Sequence, residues 1–291
     1  MNGNSTAGVL EKINLEYYTF TASEKKIADF ITAHPTEVQR MSISQLASAG
    51  NIAEATVSRF ARRLGFKNFN EMKLSLARTV VSGNHDPNPV SGNVSENDSF
   101  TDVCAKVCAA DIEAIRQTCD LIDEEKIHAA ADMMEKAKLV VCMGQGGSMI
   151  IADEAAHLFR TIGNKYFAVS DSHTQAIIAA TLNKDDVIMF FSYSGATVEA
   201  LQTLKLAHEN GVKVVIITRY PASPAVAYAD VVLQCGSNES PLQLGSAAAK
   251  IAQIFLLDIL FSEMCMRDLQ GCRNVREKIA DALSEKHVRR F

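Results

Sequence analysis

Short apolar runs alternate with helical patterns over the second half of the chain, and this alternation constrains the fold more than any other feature. The runs lie at 138–143, 166–169, 187–191, 212–218 and 230–234. Such nearly continuous runs are typical of strands that are buried on both faces, and the stretches between them carry apolar residues at helical spacing. The alternation predicts an α/β fold with a five-stranded parallel sheet and helices on both faces.

Two loops at the carboxyl ends of these strands carry the chemistry, because ligands of parallel sheets bind at that edge. The first loop is the glycine-rich turn Gly144–Ser148, and the second is Ser192–Thr197, which reads Ser-Tyr-Ser-Gly-Ala-Thr. The second loop places hydroxyls and Gly195 where a strand turns into a helix. The first turn of a helix has unpaired N–H groups and the positive end of the helix dipole, so we expect an anion site there.

The glycine-rich turn does not fit a dinucleotide site. The third glycine of the G-x-G-x-x-G pattern would be residue 149, which is methionine, and no acidic ribose ligand follows a second strand in the expected place. The seven cysteines show no CxxC pair and no zinc spacing, although Cys104 and Cys108 share a helix face. We therefore predict no cofactor and no metal, and we expect reduced thiols, as in a cytoplasmic protein.

The first part of the chain predicts two short helices across a tight turn at Gly50-Asn51. Thr21 and Glu24 have the spacing of a capping box upstream, and Pro35 ends that helix or opens the next one. One stripe of the second helix in the pair is apolar and consists of Ile52, Val57, Ala61 and Leu64. The opposite face is polar and cationic and consists of Glu54, Thr56, Ser58, Arg59, Arg62 and Arg63.

Such a polar, cationic face is typical of a recognition helix in the major groove, and an ordinary surface helix of a small bundle is the alternative. Residues 1–82 contain ten Lys and Arg against seven Asp and Glu, a net charge of +3, whereas the remainder carries −8. A mildly basic first domain permits contact with nucleic acid. Residues 82–99 are rich in Gly, Pro, Asn and Ser, which predicts a linker between domains at 1–81 and 100–291.

The helix pair resembles the helix-turn-helix (HTH) domain of the RpiR family of bacterial transcriptional regulators. The resemblance covers about residues 5–80 and includes the motifs Ser42–Ala47, Ala55–Phe60 and Leu64–Phe69. It implies an all-α domain that binds double-stranded operator DNA. The residues that we predict to contact DNA are Thr56, Ser58, Arg59, Arg62, Arg63 and Lys67. The family usually has a capping serine where this chain has Ala53, and the loss of such a cap costs about 1 kcal/mol.

The two loops, with Asp230, Glu239 and Gly245-Ser246, resemble the sugar isomerase (SIS) fold over about residues 105–265. The resemblance implies a small-molecule sugar phosphate as ligand. Its implied phosphate ligands are the hydroxyls of Ser192, Ser194 and Thr197 and the backbone of Gly195. It further implies that Ser148 contacts the sugar or its phosphate and that Glu239 faces the sugar. Gln243 stands where many regulators of the family carry arginine, which leaves the identity of the sugar open.

Two functions fit these residues. In a sensor the pocket binds a sugar phosphate without turnover, and in a phosphosugar isomerase Glu239 and His173 shuttle a proton between adjacent carbons. The attached DNA reader favours a regulator of carbohydrate metabolism genes that is not an enzyme and that forms a homodimer or tetramer through the SIS domain. No apolar run reaches the length of a membrane span and no signal peptide is evident, so we expect a cytoplasmic protein without a membrane partner.

Overall fold

The computed structural model describes residues 8–39, 41–81, 94–95, 97–236 and 247–284. Among them, the residues up to Ile112 form one compact unit and those from Glu113 onward form another. Most of the predicted linker, residues 82–93 and 96, lies outside the described residues.

The first unit is built from helices, as the sequence predicts. Its helices, with a single 3-10 turn at Tyr17–Thr19, are α1 (Val9–Glu16), α2 (Ala22–Ala33), α3 (Pro35–Val38), α4 (Ile43–Ala49), α5 (Glu54–Arg63) and α6 (Phe69–Val81). Each apolar face points into one core, in which Ile27, Leu46, Val57, Phe60 and Met72 are fully buried. Burial of side chains of this size contributes about 1.5–3 kcal/mol each, so this core holds the helices together.

Local signals set the ends of these helices. Thr21 and Glu24 form the predicted capping box at the start of α2, and Pro35 is the first residue of α3. Ser42 and Gln45 form a second capping box at the start of α4, with the Ser42 N–H donating to Gln45 Oε1 at 2.7 Å. Asn51 has a φ of 48°, in the left-handed region, and this conformation makes the predicted tight turn between α4 and α5.

The second unit contains the predicted strand–helix alternation, and helix α7 leads into it across the division at residues 112 and 113. The elements are α7 (Phe100–Leu121), α8 (Glu124–Lys136), β1 (Val140–Gly144), α9 (Gly147–Arg160), β2 (Tyr166–Val169), α10 (Ser172–Thr181), β3 (Val187–Phe191), α11 (Val198–Glu209), β4 (Lys213–Thr218), β5 (Val231–Gln234), α12 (Ala247–Arg267) and α13 (Leu269–Ser284). A 3-10 helix, Pro224–Tyr228, precedes β5.

The five strands form one parallel sheet in the order β2-β1-β3-β4-β5. Alternate residues of each strand face opposite sides. Met189 and Phe191 pack with residues of α8, α9 and α12, whereas Ile188 and Phe190 pack with residues of α10 and α11. Helices therefore cover both faces, which confirms the predicted fold class and explains why the strands are apolar along their whole length.

Candidate functional site

The sheet order brings the two predicted ligand loops together. β1 and β3 are neighbours although β2 lies between them in sequence, because the chain leaves β1 toward one edge and then returns to the other side. Loops on either side of such a switch point diverge and leave a crevice, which is where open α/β sheets bind their ligands. Gly144 pairs in register with Phe191, so the turn Gly144–Ser148 and the loop Ser192–Thr197 leave the sheet at the same level.

The loop Ser192–Thr197 is shaped by bonds from its own backbone to its hydroxyls. The Gly195 N–H donates to Ser192 Oγ at 3.2 Å and to the Ser192 carbonyl at 3.1 Å, and the Ala196 N–H donates to Ser194 Oγ at 3.3 Å. In these bonds each hydroxyl oxygen is the acceptor, so its proton stays available to a ligand oxygen. Ser192 is buried, whereas Ser194 and Thr197 are half-buried at the rim of the crevice.

Gly195 cannot be replaced without moving this loop. Its φ is +60°, a conformation that L side chains rarely adopt. A Cβ at this position would lie 1.9 Å from Ser223 Oγ, which belongs to the segment that follows β4. The Gly195 carbonyl also accepts the Ala225 N–H at 2.9 Å. The segment that follows β4 therefore packs directly against the loop Ser192–Thr197, and only glycine fits at position 195 beside it.

The helices that begin at the two loops differ from their neighbours at their first turns. Asp123 caps α8 and Asp171 caps α10, each with a carboxylate that accepts a backbone N–H. Within the described residues, α9 and α11 have no side-chain cap, although Thr197 stands at the cap position of α11 with a hydroxyl that could accept. Uncapped helix starts keep N–H groups and the positive dipole end for a ligand, which is the arrangement that suits a phosphate.

The glycine-rich turn packs tightly under α9. A Cβ at Gly144 would lie 2.8 Å from the backbone carbon and oxygen of Ser148, so glycine lets the first turn of α9 approach the end of β1. Ser148 is half-buried in that first turn. The structure thus brings Ser148 and the Ser192–Thr197 loop to the same edge of the sheet, at adjacent strands.

The side-chain amides of Gln175 and Gln145 hold the glycine-rich turn on the side that faces α10. The sequence did not predict this contact. Gln175 of α10 is fully buried, and its Nε2 donates to the carbonyls of Gly144 at 3.0 Å and Val169 at 2.7 Å. Its Oε1 accepts Gln145 Nε2 at 2.8 Å. Because both carbonyls can only accept, the amide of Gln175 has one orientation, and this also orients the amide of Gln145 beside the crevice. The position of Gln175 within a helical pattern does not indicate that its side chain binds two strand ends.

Lys250 is a second residue that the sequence analysis misses. It lies in the first turn of α12, and its Cε is 3.7 Å from the position that a Cβ would take on Gly147. Its side chain therefore lies beside the start of α9, next to the crevice. The packing of α12 on the sheet brings Lys250 close to Gly147, and no local sequence pattern predicts this.

The structure describes only some of the residues that are predicted to lie near the sugar. Glu239 and Gln243 lie outside the described residues. His173, the other candidate for proton transfer, is exposed in the first turn of α10, which follows β2. It therefore belongs to the same edge of the sheet as the two loops.

The predicted recognition helix presents most of its cationic face to solvent. Arg59, Arg62 and Lys67 are exposed, and Thr56 and Ser58 are half-buried. The Arg59 guanidinium donates to Thr56 Oγ1 at 3.3 Å, which holds two of these side chains side by side on α5. Ala53 occupies the cap position of α5 and has no side-chain oxygen, as the sequence indicates.

Arg63, which the sequence predicts to contact DNA, also makes contacts within the first unit. Its guanidinium donates to Glu24 Oε2 at 2.7 Å and to the Thr19 carbonyl at 3.0 Å, and it lies 5.0 Å from the centre of the Phe20 ring. These contacts tie the last turn of α5 to the first turn of α2 and to the segment before it. A guanidinium engaged on several sides stabilises the first unit, and the contact of Arg63 with DNA stays a prediction beside this role.

Within the described ranges, no group of three or more His, Cys, Asp or Glu residues has the geometry of a metal site. Nor does any helix in the part of the chain that the structure describes combine the length and apolar character needed to cross a membrane.

Comparisons with known proteins agree with this architecture. Residues 7–83 match the model of the helix-turn-helix domain, rpiR family, and residues 133–263 match the SIS domain. The chain is 31% identical over 285 residues to an HTH-type transcriptional regulator of Haemophilus influenzae, covering 98% of this chain and 99% of that one. It is 32% identical to one of Clostridium perfringens, with 96% of each chain covered.

Solved structures share the fold. The Vibrio vulnificus NanR protein, solved in complex with ManNAc-6P, superposes with a TM-score of 0.63 at 23% identity, covering 97% of this chain and all of that one. The sugar isomerase domain of an RpiR transcription factor from Sphaerobacter thermophilus superposes with a TM-score of 0.56 at 24% identity, covering 62% of this chain and 98% of that one. The chain therefore belongs to the RpiR family of HTH-type transcriptional regulators, with an N-terminal HTH domain followed by a SIS domain.

Proposed function

We propose that this regulator senses a sugar phosphate in the β1/β3 crevice and controls carbohydrate metabolism genes through α5. The observation that carries the proposal is the loop Ser192–Thr197, whose hydroxyl protons are available and whose helix α11 starts without a cap. The phosphate would lie against Ser192, Ser194, Gly195 and Thr197. A regulator of this kind works in the cytoplasm, where operator DNA is found.

The charge at the crevice supports a phosphate over a neutral ligand. Two helix starts direct N–H groups and positive dipole ends toward the same edge of the sheet, and the Lys250 side chain lies beside one of them. Each helix end contributes about half a unit of positive charge, so the two helix starts complement the negative charge of a phosphate. Ser148 and Gln145 at the neighbouring loop, and Glu239, would then face the sugar.

The structural neighbour NanR supports the class of ligand, because its complex contains ManNAc-6P. At 23% identity the shared fold does not transfer the identity of the sugar. ManNAc-6P is therefore one probe within a panel of hexose and pentose phosphates.

The DNA half of the proposal places α5 in the major groove of operator DNA. Arg59 and Arg62 would contact guanine edges or phosphates, and Thr56, Ser58 and Lys67 would complete the interface. Self-association through SIS domains, as a dimer or tetramer, would place two readers on a pseudo-palindromic operator with half-sites about one helical turn apart. If the sugar phosphate changes the affinity for DNA by some factor, DNA changes the affinity for the sugar phosphate by the same factor.

Calorimetry on the full chain tests the pocket. Sugar phosphates and inorganic phosphate are titrated into the wild type and into Ser194→Ala, and we expect roughly tenfold weaker binding in the variant because one hydrogen bond to a charged oxygen is lost. Ser262→Ala on the exposed side of α12 is the matched control, and its affinity should equal that of the wild type. Equal affinity of Ser194→Ala and the wild type for every binding probe would contradict the assignment of the pocket.

A measurement of whether the protein converts its bound sugar phosphate distinguishes a sensor from an isomerase. We expect the ³¹P and ¹H spectra of the best-binding sugar phosphate to stay unchanged during prolonged incubation with the protein. A product that disappears in Glu239→Gln and His173→Asn would instead support the isomerase alternative. Binding without turnover, together with a ligand-dependent change in operator affinity, is the result that the sensor predicts.

A further inference from the structure

Ser223, in the segment that follows β4, carries a buried hydroxyl without a hydrogen-bond partner. The residue is 4% exposed, and its Oγ has neither a donor nor an acceptor within the residues that the structure describes. A buried polar group that stays unpaired destabilises a fold, so the great majority of such groups in proteins are paired. An unpaired hydroxyl beside a candidate ligand site therefore needs a functional explanation.

The local backbone explains why this hydroxyl is unpaired. Ser223 is the cap residue of the 3-10 helix Pro224–Tyr228, and a serine oxygen at such a position ordinarily accepts an N–H of the second or third helical residue. The second residue, Ala225, donates its N–H to the Gly195 carbonyl at 2.9 Å. The third, Val226, donates to the carbonyl of Ser223 at 3.1 Å rather than to its hydroxyl. The hydroxyl therefore keeps its proton for another acceptor.

The same hydroxyl lies where a side chain of residue 195 would be. A Cβ on Gly195 would lie 1.9 Å from Ser223 Oγ, so this oxygen packs directly against the backbone of the loop Ser192–Thr197. The N–H of Gly195 donates to the carbonyl of Ser192 at 3.1 Å and to its Oγ at 3.2 Å. The unpaired donor of Ser223 therefore lies beside the residue whose N–H closes the turn of this loop.

Phosphate binding at the loop requires the Gly195 N–H to change its acceptor. This step rests on the proposed function, in which the backbone of Gly195 binds the phosphate. The N–H already donates to two oxygens of Ser192, so it must turn away from them, and a charged acceptor favours the exchange. Ser192 is buried, so the loss of this donor is costly unless another donor replaces it.

We propose that Ser223 is a positioning residue that replaces the Gly195 N–H on Ser192 when a phosphate binds. In the unliganded protein the Gly195 N–H donates to Ser192, and the Ser223 hydroxyl is unpaired. In the bound state the N–H donates to the phosphate, and the Ser223 hydroxyl donates to the carbonyl or Oγ of Ser192. No proton is transferred, and every donor has an acceptor. The bound state thus contains a hydrogen bond that the unliganded protein lacks.

Ser223→Ala separates this role from a purely structural one. The change removes an unpaired buried hydroxyl, so thermal unfolding of the unliganded variant should show a higher melting temperature than the wild type. Calorimetry should show roughly tenfold weaker binding of inorganic phosphate, and of each hexose or pentose phosphate that binds the wild type, because Ser192 stays unpaired in the bound state. A lower melting temperature or an unchanged affinity would overturn the proposal.

Thr161→Val is the matched control. Thr161 follows α9 at the end that is remote from the crevice, and its hydroxyl donates to the Leu158 carbonyl at 2.7 Å. Removal of this bonded hydroxyl should lower the melting temperature and leave the affinity unchanged.

Ser194→Ala distinguishes failure of this inference from failure of the proposed function. If Ser194→Ala weakens binding and Ser223→Ala does not, only the role of Ser223 is wrong. If neither change weakens binding, the assignment of the phosphate pocket is itself wrong.

The amide proton of Gly195 reports the exchange directly. Selective ¹⁵N labelling of the 15 glycines leaves few signals to follow while inorganic phosphate or a binding sugar phosphate is titrated into the full chain. We expect the Gly195 proton resonance to move downfield in the wild type, because a charged acceptor makes a shorter hydrogen bond than a carbonyl does. A resonance that stays in place at saturation would show that the N–H keeps Ser192 as its acceptor, and the exchange would be wrong.

Discussion

The candidate DNA interface and the candidate ligand site differ in how the chain builds them. The DNA face comes from residues that are close in sequence, on α5 and at Lys67 just after it, and the α5 side chains point outward because the opposite stripe of the helix is buried. The ligand site comes from two loops that are separated in sequence by β2 and α10 and meet only because β1 and β3 are neighbours in the sheet. Changes on α5 should therefore act locally, whereas changes at the ligand loops should also act through the packing of the sheet.

A glycine substitution tests this difference most strongly. Gly195→Ala places a side chain in a left-handed conformation and against Ser223 Oγ, so we expect a loss of about 2–5 kcal/mol in the free energy of unfolding together with loss of phosphate binding. Gly211 has a similar φ, +71°, but a Cβ there meets no described atom within 4 Å. Gly211→Ala should cost only about 1–2 kcal/mol and leave binding intact.

Urea unfolding and calorimetry on the same samples distinguish the two glycine variants. Equal destabilisation of both would mean that backbone strain alone explains the effect, and that Ser223 does not support the loop. Retained phosphate binding in Gly195→Ala would contradict the placement of the anion at this turn.

Two arginines on α5 test whether effects on the DNA face stay local. Arg59→Ala should weaken binding to an operator selected from random duplexes by roughly 10–100-fold, about 1–3 kcal/mol, with unchanged stability and unchanged sugar phosphate binding. Arg63→Ala should instead lower the free energy of unfolding by up to about 1 kcal/mol, because it loses Glu24 and Thr19 while remaining partly exposed.

Fluorescence anisotropy at fixed salt measures the first effect, and urea unfolding measures the second. Salt must be held constant because phosphate contacts make the affinity for DNA depend on it. The reverse pattern, with Arg63 dominating specific binding and Arg59 dominating stability, would contradict the division that the contacts indicate.

The smallest expected effect concerns the start of α5. Both α5 and α11 begin without a side-chain cap. The first turn of α11 faces the ligand crevice, where a bound anion can take the place of a cap. The first turn of α5 has no such ligand, and Ala53 has no side-chain oxygen that could accept its N–H groups. Ala53→Ser should add a cap and stabilise the first unit by about 1 kcal/mol, seen as a higher melting temperature. Lower stability in Ala53→Ser would show that the start of α5 is constrained by something other than its cap.

Local patterns predicted most of the secondary structure. The Thr21–Glu24 capping box, the left-handed Asn51, and the strand–helix alternation all appear where the sequence indicates them. The predicted ends differ by a few residues, as at β1, whose apolar run covers 138–143 and which the structure places at Val140–Gly144. Gly144, at the end of this strand, is the residue that lets the first turn of α9 pack against β1.

Residues whose roles depend on distant neighbours were not predicted. The sequence places Gln175 in a helix and indicates nothing more. In the structure its side-chain amide donates to carbonyls at the ends of β1 and β2. Lys250 reads as an isolated lysine in an alanine-rich stretch, yet it lies beside Gly147. Arg63 reads as part of a cationic face, and its ties to Glu24 and Thr19 depend on how α2 packs against α5.

By itself, the sequence determined the two kinds of domain, the buried strands, the capped helix starts and the two loops that carry hydroxyls and glycines. These features follow from propensity and periodicity, which act over a few residues. Only the tertiary structure decided that β1 and β3 are adjacent and that α9 and α11 start uncapped at one crevice. Those contacts depend on how whole elements pack, and the pattern of one segment does not contain the position of its partner.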